Sequence, residues 1–124
     1  MTSDHVVATG EVVKKIETVY VAGPYTVGVV EENVRLAITA ANSVMDLGLS
    51  PYVPHLAHYM HQVRERTYEE WMTLDFAWLD RCDSLLRLPG LSPGADREVL
   101  RAVHDEKPVF HSIEALVQYV KASK

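Results

Sequence analysis

Three stretches of this chain hold the residues whose types and spacing could do chemistry. In Ser92-Pro93-Gly94-Ala95-Asp96-Arg97-Glu98, serine and proline open a helix, because a hydroxyl can cap free N–H groups and proline suits the first helical position. Glu98 then falls in the first turn, near the positive end of that helix, which would help keep a carboxylate ionised. An acid that only complements a helix dipole would read the same way. Ser92 beside helix N-terminal N–H groups suits a bound phosphate, and it equally suits a plain cap.

The second stretch centres on Asp75, flanked by Leu74 and Phe76 in an aromatic-rich segment where partial burial would fit it for proton transfer. A solvated helix acid is the alternative. Tyr20, inside the apolar run Val19-Tyr20-Val21-Ala22, reads by itself as a core strand tyrosine. The third stretch carries His55, His58 and His61. Their spacing invites zinc, yet neither a cysteine nor a nearby carboxylate completes a set of ligands, so no metal is expected. This segment reads instead as the mouth of a binding site, with His58, Tyr59 or Arg64 touching a ligand. Trp71 and Trp78 read as core or subunit interface.

Extended apolar segments alternate with helical patterns, which predicts a parallel sheet flanked by helices on both faces. Strands are expected at 19–22, 52–53, 84–88 and 109–110. A helix over 31–47 follows from Val34, Ala37, Ile38, Ala41, Val44 and Met45 at helical spacing, with Gly48 to end it. Residues 55–66 form a polar loop or short helix. Thr67 followed by Glu70 spells a capping box for a helix whose stripe of Trp71, Leu74, Ala77, Trp78 and Leu79 would lie on the sheet. The next helix would hold Glu98, Val99, Ala102 and Val103, and Ser112 caps a last one with Ile113, Leu116, Val117 and Val120 inward. Asp83 reads as shaping a strand start. Residues 1–17 form an edge strand through Val6-Val7 and Val12-Val13 or a loose arm, and 18–124 form the domain. The expected fold is a single-domain α/β/α sandwich, Rossmann-like or flavodoxin-like, around a parallel sheet of four to five strands.

Composition agrees. The chain has 124 residues, 48% of them hydrophobic, enough for one compact domain with a core and too few for two ordinary ones. Twelve Lys and Arg against 17 Asp and Glu leave a charge of -5, and without a basic run this argues against nucleic acid and for a small-molecule ligand. Cys82 has no partner within the chain, so a reducing cytoplasmic location is expected. Neither a secretory leader nor a run approaching the roughly 18 apolar residues of a membrane span is legible.

Right-handed crossovers gather the loops Gly23-Pro24-Tyr25-Thr26, Pro54-His55-Leu56-Ala57-His58 and Pro89-Gly90-Leu91-Ser92-Pro93-Gly94 at one sheet edge, where ligands of open α/β sheets bind. Tyr20 ahead of that first loop, Asp75 eight residues before Asp83, and Ser92-x-Gly94-x-x-x-Glu98 occur in this order and spacing. The set resembles the nucleoside 2-deoxyribosyltransferase superfamily, which includes the 2'-deoxynucleoside 5'-monophosphate N-hydrolases, over residues 18–111.

That resemblance implies cleavage of the bond between a nucleobase and C1' of a (deoxy)ribose. Glu98 would be the nucleophile, Tyr20 its orienter, and Asp75 the group that helps protonate the leaving base. It also implies substrate contacts from Gly23, Pro24, Tyr25, His58, Ser92 and Gly94, no cofactor, and a homodimer or larger homo-oligomer. Serine at 92, where transferases on free nucleosides typically carry aspartate, favours a 5'-phosphate, since a phosphate monoester would be repelled by a carboxylate. The first loop lacks the serine and arginine of the hydrolases, and Arg97 or a basic residue of another subunit would have to substitute. The rival readings are base exchange on free deoxynucleosides and a nucleotide-binding sensor without turnover.

Overall fold

In the computed structural model, which describes residues 14–123, β1 (Thr18–Ala22) leads into α1 (Val30–Asp46) and β2 (Ser50–Tyr52). A 3-10 turn (Pro54–Leu56), α2 (Ala57–Val63) and α3 (Tyr68–Leu79) then precede β3 (Ser84–Arg87), α4 (Pro93–His104), β4 (Val109–Phe110) and α5 (Ile113–Ala122). The four strands form one all-parallel sheet in the order β2-β1-β3-β4. This is the expected α/β/α fold. The Val6-Val7 and Val12-Val13 pairing lies outside the described residues, and 14–17 carry no regular element.

Local chemistry sets the boundaries. Gly48 takes φ +82 just past α1, a conformation glycine reaches without strain, and its N–H bonds the Met45 carbonyl at 2.9 Å. Both halves of the Thr67/Glu70 box are made at the start of α3. Ser92 and Ser112 cap α4 and α5 by accepting from the N–H of Ala95 and Ala115. Asp83 accepts from the N–H groups of Glu17 and Thr18 at 2.7 and 3.1 Å, tying the starts of β1 and β3 together.

Alternation along the strands divides the core in two. Val19, Val21, Leu86 and Phe110 pack with α1 and α5, through Ala37, Ala41, Val44, Leu116 and Tyr119. Tyr20, Ala22 and Leu85 face the other way, onto Leu79 of α3 and Ala95 and Ala102 of α4. Some expected inward positions are corrected. Met45, Ala77, Trp78 and Val103 are exposed; in α3 the buried residues are Met72, outside the expected stripe, and Leu79, within it. No helix among the described residues is long and apolar enough to cross a membrane.

Candidate active site

Chain order reverses between β1 and β3. From β1 the crossover runs outward to β2, and from β3 it runs the opposite way to β4, so the loops that follow them diverge above the sheet. A cavity of about 600 Å³ opens there. Its walls come from the loop after β1, the segment after β2, one side of α3, and the start of α4.

Three groups meet at its floor, Tyr20 and Glu98 buried and Asp75 half-buried. Tyr20, fully buried in the central strand, donates from its phenol to Glu98 Oε2 at 2.6 Å. Glu98 is only 4% exposed and lines the cavity beside Asp75. Burial pushes the Glu98 carboxyl well above the usual carboxylate range; the Tyr20 hydrogen bond pulls against this, and the charge of Asp75 adds to it. Asp75 is raised as well, by burial, with its hydrogen bond to Glu98 opposing. Two carboxyls side by side in a poorly solvated place cannot both ionise cheaply, so ionisation of one disfavours ionisation of the other. Burial also drives the Tyr20 phenol far up, which keeps it a neutral donor.

This corrects one expectation. Glu98 stands in the second turn of α4, six residues past its Ser92 cap, and the acid in the first turn is Asp96. The helix dipole therefore does not set its charge; burial and Asp75 raise the carboxyl, while the Tyr20 hydrogen bond and, more weakly, the charge of Arg87 favour the ionised form.

The start of α4 is held in place from below. Arg87, at the end of β3, donates to the carbonyls of Leu88 and Gly90 and to Asp96 Oδ1, drawing the loop between them tight. Gly90 has φ +115, and a Cβ there would lie 2.8 Å from Pro24 Cγ, so only glycine lets this loop close onto the loop after β1. Ser92 and Gly94 line the cavity as a result, with the Tyr68 hydroxyl against Gly94.

Across from them, His55 is buried, and its Nε2–H donates to the Pro24 carbonyl at 3.0 Å while Nδ1 has no partner among the described residues. Burial lowers its pKa, which keeps the ring neutral. Tyr25 and His58 meet through the phenol and Nδ1 at 2.8 Å, and Trp71 Nε1 donates to His61 Nδ1 at 3.0 Å. These rings give the cavity a largely aromatic wall. Among the described residues no group of three or more His, Cys, Asp or Glu could hold a metal ion.

Of the residues singled out in the sequence, Glu98, Asp75, Gly23, Tyr25, His58, Ser92 and Gly94 line this one cavity, and Tyr20 supports it from beneath. Pro24 does not line it and contributes a carbonyl to His55. Tyr59 and Arg64 are outside it, and Arg97 is paired with Glu69 at 3.0 Å, whereas Arg66 lines the wall. The His55, His58 and His61 segment borders the cavity, and sequence reasoning missed Arg66, Arg87, the place of Trp71 in the wall and the buried state of His55. For Trp71 the spacing from the Thr67 cap was a usable signal, since it places the indole one turn before Asp75, on the same side of α3.

No curated protein matches the chain. One family model does, over residues 17–112, which takes in both central strands, Asp75 and the whole Ser92 to Glu98 segment. The chain belongs to that family, DUF7768, described as a domain of unknown function.

Proposed function

We propose that the protein is an N-glycosidase that cleaves the bond between a nucleobase and C1' of a (deoxy)nucleoside 5'-monophosphate or nucleoside. The observation that carries this reading is the Tyr20 phenol 2.6 Å from Glu98 Oε2, with Asp75 beside it, on the floor of a cavity at the switch point of the sheet. A pair of carboxyls with one proton supplies both groups that glycosidic cleavage needs. As the C1'–N bond breaks, the positive charge growing at C1' favours ionised Glu98, and the shared proton passes from Glu98 to Asp75. Glu98 then forms an ester bond to C1', while Asp75 passes its proton to the departing base. Water, deprotonated by Asp75, attacks C1' and releases Glu98 with the free sugar.

The aromatic wall of Tyr25, His58 and Trp71 suits a planar heterocycle. Ser92, Gly94 and Arg66 suit the 5' end of a nucleotide, with the guanidinium of Arg66 taking the place of the arginine absent from the loop after β1. That absence also favours a second reading, exchange of bases on unphosphorylated deoxynucleosides. A cytoplasmic location, on the single cysteine, and a homo-oligomer, on the family resemblance alone, are part of the proposal.

Incubation with a panel of deoxynucleosides and their 5'-monophosphates, with and without an acceptor base, decides among these. Free base without acceptor supports hydrolysis, and a new nucleoside only with acceptor supports transfer. Thermal stabilisation by a nucleotide without any product would replace both with a binding module. Glu98→Ala that still releases base at the wild-type rate would defeat the mechanism.

A further inference from the structure

Behind the carboxylate pair, three aromatic rings stand in a row. Tyr20 and Tyr52 face each other across neighbouring strands, because the β1–β2 register pairs these two residues. Their ring centroids are 5.8 Å apart at an interplanar angle of 26°. Trp78 of α3 continues the stack, 5.3 Å from Tyr52 at 21°. Tyr52 does not line the cavity, so nothing in the proposed chemistry uses it. Trp78 is 44% exposed and covers the outer end of the row.

The geometry points to Tyr52 as a positioning residue: held flat by Trp78, it fixes the ring of Tyr20 so that the phenol stays aimed at Glu98 Oε2. The inference rests on the glycosidase reading for its effect on rate, but the physical link it asserts is between three rings and one hydrogen bond. Tyr20 is anchored by its strand and by the carboxylate it donates to, and β2 is the edge strand of the sheet, so the flat contact with Tyr52 is what braces the ring from the open side. Offset stacking favours this orientation over others, and loss of one ring from the row leaves space into which its neighbour can turn. A turn of the Tyr20 ring moves its hydroxyl, and a hydrogen bond weakens steeply once distance and angle are lost.

The test is a double-mutant cycle between Tyr52→Leu and Tyr20→Phe, with Tyr52→Phe as the conservative control. Base release from a deoxynucleoside monophosphate is measured for kcat and KM separately, across pH. Tyr52→Leu is expected to lower kcat about tenfold with KM nearly unchanged and to move the pH limb set by Glu98 upward, as Tyr20→Phe does. Tyr52→Phe keeps the stack and behaves as wild type. In the Tyr20→Phe background, where no phenol remains to be aimed, Tyr52→Leu adds nothing further. Additive losses in the double mutant, or a wild-type pH limb in Tyr52→Leu, overturn the inference.

A second readout does not depend on turnover. The difference in thermal midpoint between each protein and its Glu98→Gln counterpart, followed across pH, reports the titration of the Glu98–Asp75 pair. Tyr52→Leu should shift that titration upward by as much as Tyr20→Phe, and no shift overturns the inference. If the wild type releases no base from any substrate, the glycosidase reading fails while this readout still decides the role of Tyr52.

Discussion

The two faces of the sheet are made from the same strands and do opposite work. In β1, Val19 and Val21 turn toward α1 and α5, where the buried partners are alanine, valine, leucine and phenylalanine, and the hydroxyl of Tyr119 finds the Lys14 carbonyl at 2.7 Å. One residue along, Tyr20 turns toward α3 and α4 and meets a buried carboxylate. The first face gains free energy from every group it buries. The second buries Glu98 and most of Asp75, which raises the energy of their charged forms and holds a proton where a folding domain has no need of one. Apolar burial is concentrated on one side and the buried carboxyls on the other, and a fold this small can carry such a pair because the apolar side offsets its cost.

Removing the reactive groups tests the division most severely. Glu98→Ala is expected to lower base release by about 10⁴-fold or more, measured as kcat with a deoxynucleoside monophosphate, since the proposed ester forms on Glu98. Asp75→Asn should lower it by roughly 10²- to 10⁴-fold, the ordinary value of a positioned acid. Both proteins should fold. If either fails to reach a cooperative thermal transition, the reactive face is also structural and the comparison breaks.

Truncation on the apolar face should do the reverse. Leu116 is fully buried against the sheet, and Leu116→Ala is expected to lower unfolding free energy by about 2–5 kcal/mol in a denaturant titration. Activity per folded molecule should be unchanged below the transition.

How much of this was legible follows the same line. Strands, caps and the α1 stripe were readable because each rests on local rules: alternation, Thr67 with Glu70, Ser92 with Pro93 and glycine at 48. The ordered residues Tyr20, Asp75, Ser92 and Glu98 were readable as a set, though not their electrostatics. The position of Glu98 suggested an ionised acid at a helix start, whereas its charge is governed by burial between Tyr20 and Asp75, residues 78 positions and one helix away. Arg87 and Arg66 were invisible for the same reason. Arg87 reaches forward over its own loop, and Arg66 borders the cavity while pairing with Glu70, and neither direction is encoded in spacing. The α3 stripe failed because an aromatic helix with Asp75 on its inner side does not present its apolar residues as a single band.

Acidity offers a milder way to separate the faces. Both carboxyls of the pair bind protons more tightly in the folded protein than in the unfolded chain, so the folded state is favoured below the ordinary carboxylate range and loses that advantage as pH rises through the pair's titration. Between about pH 5 and about pH 9 the wild-type thermal midpoint should therefore fall relative to that of Glu98→Gln, which keeps an acceptor for Tyr20 and carries no proton to lose. A wild type that gains on Glu98→Gln over this interval would mean that Glu98 is ionised at rest.

The smallest expected effect is the sharpest test, because the chain supplies its own control. Ser92 and Ser112 cap helices in the same way, accepting from the N–H groups of Ala95 and Ala115 at 3.1 and 3.0 Å, one on each face of the sheet. Replacing either with alanine should cost about 1 kcal/mol of stability, read from matched denaturation curves. Only Ser92 lines the cavity. If its hydroxyl also meets the 5' end of a substrate, Ser92→Ala should raise KM several-fold for a deoxynucleoside monophosphate, and Ser112→Ala should leave KM untouched. Equal losses of stability with equal, unchanged KM values would reduce Ser92 to a cap, and the phosphate would then have to be held by Arg66 and the free end of α4 alone.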